Sequence, residues 1–258
     1  MIHSRKTPIA YVAAMAMLAW GCTGQSSKES TESDTTMEES TANDGQNQLT
    51  DQEKAEGWVL LFDGKTTQGW KGYNRDDVPV AWVVEDGALT LDTAKLGSGG
   101  GDILTAGIYE NFELRLEWKI SPNGNSGIIY NVVEGEHPAT YHTGPEMQVL
   151  DNDGHPDGKI EKHRAGDLYD LVKSSEEPVK PVGQWNQVRL VQQDGKIEHW
   201  LNGVKVVEAD MNSQEWKELV AGSKFNSMPD FGKSKKGHIA LQDHGDKVWY
   251  RNIKIKER

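Results

Sequence analysis

One strand candidate carries the residue types that acid–base chemistry needs. In the segment Glu146-Met-Gln-Val-Leu150, two polar residues alternate with Met147 and Val149. Successive strand residues point to opposite faces, so Glu146 and Gln148 share one face while the two apolar residues face the core. Glu146 could act there as a general base, and Gln148 could bind hydroxyl groups. The alternative is that Glu146 is an ordinary solvated strand residue.

A second polar face lies near the C-terminus. The stretch 237–255 predicts two strands joined by a tight Asp-His-Gly-Asp turn. Alternation puts Ile239 and Leu241 on one face and Gln242 and His244 on the other. A face that carries Gln and His at alternate positions is poor core, so it is either a site or a solvated surface.

The spacing of carboxylates favours one sugar chemistry over another. Retaining glycosidases need two carboxyl groups about 5 Å apart. After Glu146, the same strand face offers only Gln148 and Leu150, and Asp151 has the wrong parity. A sugar that carries a ketone at C3 needs less, because its C2 proton is acidic. Glu146 as base and His244 as acid or enolate partner would allow the C1 group to leave and water to add.

Other polar and aromatic residues could hold a sugar. Besides Gln148 and Gln242, the candidates for hydroxyl binding are His199 and Asn202. The candidates for stacking on a ring are Trp200, Tyr169 and Tyr130. Most of the nine Trp residues lie in apolar patterns and are expected in the core. Trp200, flanked by His199 and Asn202, is the predicted sugar platform.

An acidic loop raises the question of a metal. Asp151, Asp153 and Asp157 are spaced like the start of a calcium-binding EF-hand loop, but Lys162 stands where the bidentate Glu should be. A surface loop that shapes a pocket fits better. We therefore predict no metal or cofactor, with calcium as the open alternative.

The N-terminal part has the features of a targeting segment. Arg5 and Lys6 precede an apolar run that is too short to span a bilayer and that ends at Cys22, the single cysteine. Residues 1–21 are predicted to be a lipoprotein-type signal peptide, with Cys22 as the lipidated residue. Plain secretion or a free thiol are the alternatives. The expected location is the bacterial periplasm or cell surface, with contact to a membrane only through this anchor.

The rest of the chain divides into a tether and one domain. Residues 22–49 are polar and almost free of apolar side chains, which predicts a disordered tether. Residues 50–258 are enough for one domain. Signal cleavage would change the formal charge from −12 to −14. Phosphate backbones would repel so acidic a chain, so nucleic acid is not an expected partner.

Strand and turn signals dominate the domain and predict an all-β fold. The predicted strands are 82–85, 88–91, 112–120, 127–133, 146–150, 186–192, 197–201 and 204–207. Asp86-Gly87, Asp194-Gly195 and Asn202-Gly203 are typical of hairpin turns. Two short helices are expected, one capped by Thr50 and one by Asn212. Many short strands with frequent turns predict a sandwich of two antiparallel sheets.

Several phrases, in order along the chain, resemble the 3-keto-disaccharide hydrolase family. They include 57–64, 111–118, Gly124-Asn-Ser-Gly-Ile128, Glu146-Met-Gln148, Asp167-Leu-Tyr-Asp170, 199–203 and 237–255, and the resemblance covers about residues 55–257. It implies a concanavalin A-like jelly roll with a ligand groove. It also implies 3-keto-glycosides as substrates, supplied by a partner sugar 3-oxidoreductase. Asn125 and Asp170, which lie in the matching phrases, join the expected substrate-binding residues.

Three functions remain open from the sequence. The first is cleavage of an oligosaccharide or glycoside that carries the 3-ketone. The second is a non-catalytic, lectin-like carbohydrate-binding module, which would need no base. The third is a conventional glycosidase, in which Asp170 or Glu117 would supply the second carboxylate.

Overall fold

Alternating apolar residues build two antiparallel sheets in the computed structural model, which describes residues 45–258. In chain order the strands are β1 Val59–Leu60, β2 Trp70–Gly72, β3 Trp82–Glu85, β4 Ala88–Leu91, β5 Ile103–Thr105, β6 Phe112–Ile120, β7 Asn125–Val132, β8 Glu146–Leu150, β9 Asn186–Gln193, β10 Lys196–Leu201, β11 Val204–Asp210, β12 His238–Leu241 and β13 Val248–Glu257. One sheet has eight strands in the order β11-β10-β9-β6-β13-β4-β3, with β1 also paired to β13. The other has five, in the order β2-β5-β12-β7-β8. The predicted jelly-roll sandwich is confirmed.

The two sheets enclose one main hydrophobic core. Strand β6 contributes Phe112, Leu114, Leu116, Trp118 and Ile120, which are all buried as their alternation predicts. Burying each such side chain stabilises the fold by roughly 1.5–3 kcal/mol. The core is therefore the main source of stability for the sheets that carry the site.

Three predicted hairpins are confirmed by strand pairing. The turns join β3 to β4, β9 to β10 and β10 to β11, and each pair is antiparallel. Their first turn residues, Asp86, Asp194 and Asn202, have φ of 50°, 52° and 49°. Asp and Asn adopt this left-handed conformation more readily than most residues, which explains the turn signal.

The predicted hairpin over 237–255 is wrong, because its two strands belong to different sheets. Strand β12 pairs with β5 and β7, whereas β13 pairs with β1, β4 and β6. The connecting residues are held by other parts of the chain. The Asp243 N–H donates to Asp102 at 2.9 Å, and Asp246 accepts from the Asn125 N–H at 3.1 Å. The connection therefore crosses from one sheet to the other.

Three short α-helices accompany the strands of the described chain: α1 Asp51–Ala55, α2 Leu96–Gly99 and α3 Gln214–Ala221. Thr50 and Glu53 form the predicted capping box of α1. Helix α3 is capped by Ser213 rather than by Asn212, since the Ser213 hydroxyl accepts from the Trp216 N–H at 3.0 Å. Helix α2 was not predicted.

The folded domain begins before residue 50, which corrects the end of the predicted tether. Asn47 is buried, exchanges hydrogen bonds with Asn252 and donates to the Gly87 carbonyl at 2.8 Å. The predicted signal peptide, Cys22 and the tether up to residue 44 lie outside the described residues. Within residues 45–258, no helix is long and apolar enough to cross a membrane.

Candidate active site

The polar candidates lie on the face of the five-stranded sheet that points away from the main core, here called the site face. Ile128 of β7 and Met147 of β8 belong to the main core. Their neighbour Ile129 and Ala240 of β12 belong to a separate small apolar cluster. Alternation therefore puts the polar side chains of these strands on the site face.

A cavity of about 180 Å³ opens on this face. Its walls come from β7, from β8, from the residue that follows β12 and from loops. The lining residues are Asn125, Tyr141, Glu146, Gln148, Tyr169, Lys224, Gln242 and His244. Drug-sized ligands occupy pockets of about 300–1,000 Å³, so this cavity encloses only a small unit such as one sugar ring.

Glu146 lies on the cavity floor and is 5% exposed. Its carboxylate lies directly above Gly127 of the paired strand, where an added Cβ would be 2.1 Å from Oε1. Glycine at 127 is thus what makes room for the carboxylate. Burial, together with the negative charges of Asp102 and Asp157, raises the pKa of Glu146 to about 8, although the nearby Lys224 ammonium acts to lower it.

Two buried amides beside Glu146 lack protein partners. Gln148 is 1% exposed, and neither its Oε1 nor its Nε2 makes a hydrogen bond within the described chain. Asn125 Oδ1 is likewise unpaired among these residues. An unpaired buried polar group costs about 1–3 kcal/mol, so amides in this state are suited to a polar ligand that would pair with them.

His244 reaches the cavity from the crossover loop after β12. The buried carboxylate of Asp102 anchors this loop, since it accepts from the Asp243 N–H at 2.9 Å and also from the Thr140 hydroxyl. Thr140 precedes Tyr141, which also lines the cavity. Asp102 thus fixes two walls of the cavity at once, although it does not line the cavity itself.

Lys224 and Tyr169 form another wall. The Lys224 ammonium lies 4.1 Å from the centre of the Tyr169 ring, and that ring stacks on His163 at 4.2 Å. Lys224 as a whole residue is exposed, but its ammonium end is partly buried. This burial lowers the pKa of Lys224, although the negative charge of Glu146 acts to raise it. Backbone pairing positions this wall, because the Tyr169 N–H donates to the Glu146 carbonyl at 3.0 Å.

Six of the predicted site residues are therefore brought to one cavity: Asn125, Glu146, Gln148, Tyr169, Gln242 and His244. Asp170 lies just behind them. Its carboxylate accepts from the Lys224 N–H at 2.7 Å and lies 3.2 Å from His163 Nε2, so it supports the wall without lining the cavity.

The prediction that Tyr130 and His199 bind sugar is wrong, because both are fully buried in the main core. They contact each other, with 3.1 Å between the Tyr130 hydroxyl and His199 Nε2. His199 Nδ1 lies 3.2 Å from the Gly166 carbonyl oxygen. Burial lowers the pKa of His199 to about 4, so the ring is neutral at pH 7.

Trp200 and Asn202, the other two predicted sugar-binding residues, do not line the cavity that holds Glu146. Trp200 points out of the eight-stranded sheet, where Arg189 lies over its ring, and it lines a separate hollow of about 350 Å³. Asn202 is used by the fold: it donates to the Pro178 carbonyl and accepts from the Gln187 N–H. Strand parity alone separates inward His199 from outward Trp200.

No pattern in the sequence indicates that Lys224 or Tyr141 belongs to the site. Lys224 follows α3 in a short 3-10 turn, Lys224–Ser227, with no periodic pattern around it. Tyr141 lies in a similar turn, Thr140–His142. Only the tertiary fold brings these two loops over the site face.

Asp151, the first residue of the acidic loop, uses its carboxylate within the fold. Both carboxylate oxygens of Asp151 accept backbone N–H groups, from Asn123 at 2.7 Å, Asp153 at 3.2 Å and Gly154 at 3.0 Å. Asp151 therefore closes the loop as a turn residue.

Comparisons with known proteins show the family of this chain. A family model described as the 3-keto-alpha-glucoside-1,2-lyase-like domain matches residues 57–256. The chain belongs to this family. A 3-keto-disaccharide hydrolase of Bacteroides thetaiotaomicron is 37% identical over 228 residues, which cover 78% of this chain and 79% of that relative. The predicted family membership is confirmed.

Solved structures of similar proteins share the fold. A crystal structure of a Parabacteroides distasonis protein, provisionally assigned as a glycosyl hydrolase, is 40% identical with a TM-score of 0.75, and the match covers 83% of this chain and 99% of that one. A second such protein from the same organism is 28% identical with a TM-score of 0.60, over 78% and 99% of the two chains.

Proposed function

We propose that this member of the family cleaves 3-keto-glycosides, with Glu146 as the base. The observation that carries the proposal is that Glu146 is the one carboxylate among the eight residues that line the cavity. Around it lie two amides without partners and the Lys224 ammonium. A single base with donors for hydroxyl and enolate oxygens suits elimination next to a ketone.

The proposed reaction has two steps. Glu146 takes the C2 proton, and the electron pair of the C2–H bond forms an enolate whose oxygen is at C3. As the enolate returns to a ketone, the C1–O bond breaks and the leaving oxygen takes a proton, which His244 can supply. Water then adds across the C1–C2 double bond, with its oxygen on C1 and a proton on C2, which gives net hydrolysis.

The Lys224 ammonium suits the negative charge that develops in this reaction. Negative charge develops on the C3 oxygen, and the Lys224 ammonium lies in the same cavity as the Glu146 carboxylate. Removing one well-placed donor to such an oxygen costs about 10²–10³ in rate in other enzymes. Lys224 thus takes the enolate-stabilising role for which His244 alone was predicted.

Incubation of the purified chain with a 3-keto-disaccharide tests the function directly. We expect release of the second sugar, and no release from the parent disaccharide that lacks the ketone. The Glu146→Gln variant should lose the activity, while Glu208→Gln, on the exposed side of β11, should retain it. Equal rates for Glu146→Gln and the unaltered chain would refute the proposal.

The other two functions have weaker support. Neither of the carboxylates predicted for a conventional glycosidase lines the cavity, because Glu117 pairs with Arg251 at 2.7 Å on the other sheet and Asp170 lies behind the wall. A lectin-like module needs no buried carboxylate of raised pKa. Saturable binding of unoxidised glycans without any product would favour the lectin-like function.

We also propose a cellular location for the chain and a source for its substrate. A lipid anchor at Cys22 would hold the domain at the periplasmic or outer surface of a bacterium. The substrate must come from an oxidoreductase that converts a sugar 3-hydroxyl to a ketone. Metabolic labelling with a fatty acid, lost in the Cys22→Ser variant, would test the anchor.

A further inference from the structure

Beside the cavity lies a cluster of metal-ligating side chains that the proposed reaction does not use as a unit. His155, His244 and Asp246 each offer one ligand atom, and these atoms all lie within 4.8 Å of one another. The rings of the two histidines meet edge to face, with 6.1 Å between their centres. His155 comes from the loop after β8, and the other two come from the crossover loop.

We propose that His155, His244 and Asp246 bind one divalent transition-metal cation at the mouth of the cavity. Two imidazoles and one carboxylate form the ligand set typical of Zn²⁺, Fe²⁺, Mn²⁺ or Co²⁺ with open positions for substrate. Calcium and magnesium prefer oxygen ligands and are poorly suited to two imidazoles.

The fold holds the Asp246 side chain in place and leaves the His244 ring free to turn. Asp246 Oδ2 accepts the Asn125 N–H at 3.1 Å, which leaves Oδ1 available to a cation. His244 is exposed, and its ring makes no hydrogen bond within residues 45–258, so either nitrogen can turn to a cation. Metal–ligand bonds of roughly 2.0–2.2 Å hold two ligand atoms at most about 4.4 Å apart. The ligand atoms here lie within 4.8 Å of one another, so a small turn of the His244 ring is enough to bring them into bonding range.

His155 has to change tautomer before it can bind a cation through Nε2, and Asp157 lies close to its Nδ1 in either form. His155 Nδ1 accepts the Asp157 N–H at 3.1 Å, which leaves the ring hydrogen on Nε2. The Asp157 Oδ1 lies 4.0 Å from the same Nδ1. When Nδ1 carries the hydrogen, this carboxylate can accept it, and Nε2 is then free for the cation. A carboxylate behind a ligating histidine is a common arrangement in metal sites.

The surrounding charge and polarity also favour a cation. Asp102, Asp157 and Asp243 lie around the cluster, and Asp102 is close enough to His244 for their charges to interact. The unpaired amide of Gln148 faces the same cavity as His244. A cation here would face a sugar whose hydroxyl and keto oxygens are natural ligands for its open positions.

The catalytic part of this inference rests on the proposed function, but the binding of the cation does not. A metal on His244 would act as a Lewis acid toward the sugar oxygens, and His244 would then be a ligand rather than a free acid. Binding can be measured without any sugar, so a failure of the metal site and a failure of the reaction are distinguishable.

The test is a Co²⁺ titration of the full chain, purified without a polyhistidine tag and stripped with chelator, followed by visible absorption and calorimetry. We expect one Co²⁺ per chain. The His155→Ala and Asp246→Asn variants should bind it at least about 10-fold more weakly, since even the groups behind metal ligands contribute about 10–100-fold. Asp246→Asn can still accept from the Asn125 N–H, so it keeps the loop in place.

His137→Ala is the matched control, because His137 lies in another loop 3.8 Å from Asp230. It should bind Co²⁺ as the unaltered chain does. The absence of Co²⁺ binding would overturn the proposal. So would binding that both variants retain at full affinity while circular dichroism shows them folded.

Discussion

A single added methyl group at Gly127 should test whether the position of the Glu146 carboxylate controls activity. In Gly127→Ala, the new Cβ would lie 2.1 Å from Oε1, 2.7 Å from Cδ and 2.9 Å from Cγ of Glu146. Ordinary contact begins at 3.4 Å, so the carboxyl group must move by about 1.3 Å. A misplacement of about 1 Å can cost about 100-fold in rate, which corresponds to about 2.7 kcal/mol of transition-state stabilisation.

The assay is kcat/KM for a 3-keto-disaccharide, with thermal unfolding measured beside it. Stability should change little, because the group that must move is the end of a flexible side chain. The Gly→Ala change also lowers the conformational entropy of the unfolded chain, which stabilises the folded state by about 0.4–1 kcal/mol. Gly97→Ala is the matched control, since its added Cβ meets no atom within 4 Å. A folded Gly127→Ala variant with unaltered kcat/KM would refute the reasoning.

Three further predictions concern charge. Lys224→Met should lower kcat/KM about 10²–10³-fold through loss of the cation near the enolate, while Lys217→Met on the exposed side of α3 should not. Burial and the charge of Asp102 both raise the pKa of the Glu146 base, which is about 8. Activity should therefore decline as the pH is lowered through this value, and Asp102→Asn should shift the decline to lower pH in a rate–pH profile. The pKa of His199 is lowered from 6.5 to about 4, so its contribution to the free energy of unfolding is complete above pH 6.5 and lost as pH falls toward 4. Denaturant unfolding should show a loss of about 3 kcal/mol over that window, and His199→Gln should remove this pH dependence.

Strand parity made most of the fold and half of the site predictable. The alternation in β8 put Glu146 and Gln148 on one face, and the structure places both in the cavity. The three Asp-Gly and Asn-Gly turns were equally readable, because their first residues need a left-handed backbone that few residue types accept.

Strand parity does not determine which sheet a strand joins. The wrong prediction for the hairpin over 237–255 and the unexpected place of Trp200 follow from this. Strands β12 and β13 are close in sequence, yet their connection crosses the sandwich, where Asp102 accepts a hydrogen bond from it and the Asn125 N–H donates one to it. Trp200 is an outward residue as expected, but of the other sheet. Lys224 reaches the cavity only through the tertiary fold.

The central claim is that Glu146 removes the C2 proton of a 3-keto-sugar, and the most direct measurement is the isotope effect on that step. Single-turnover cleavage of a 3-keto-disaccharide deuterated at C2 should be several-fold slower than that of the protiated sugar. In D₂O, the product should carry deuterium at C2 when the protiated substrate is used. Equal rates for the two sugars, together with a product that keeps its original C2 hydrogen, would contradict the account.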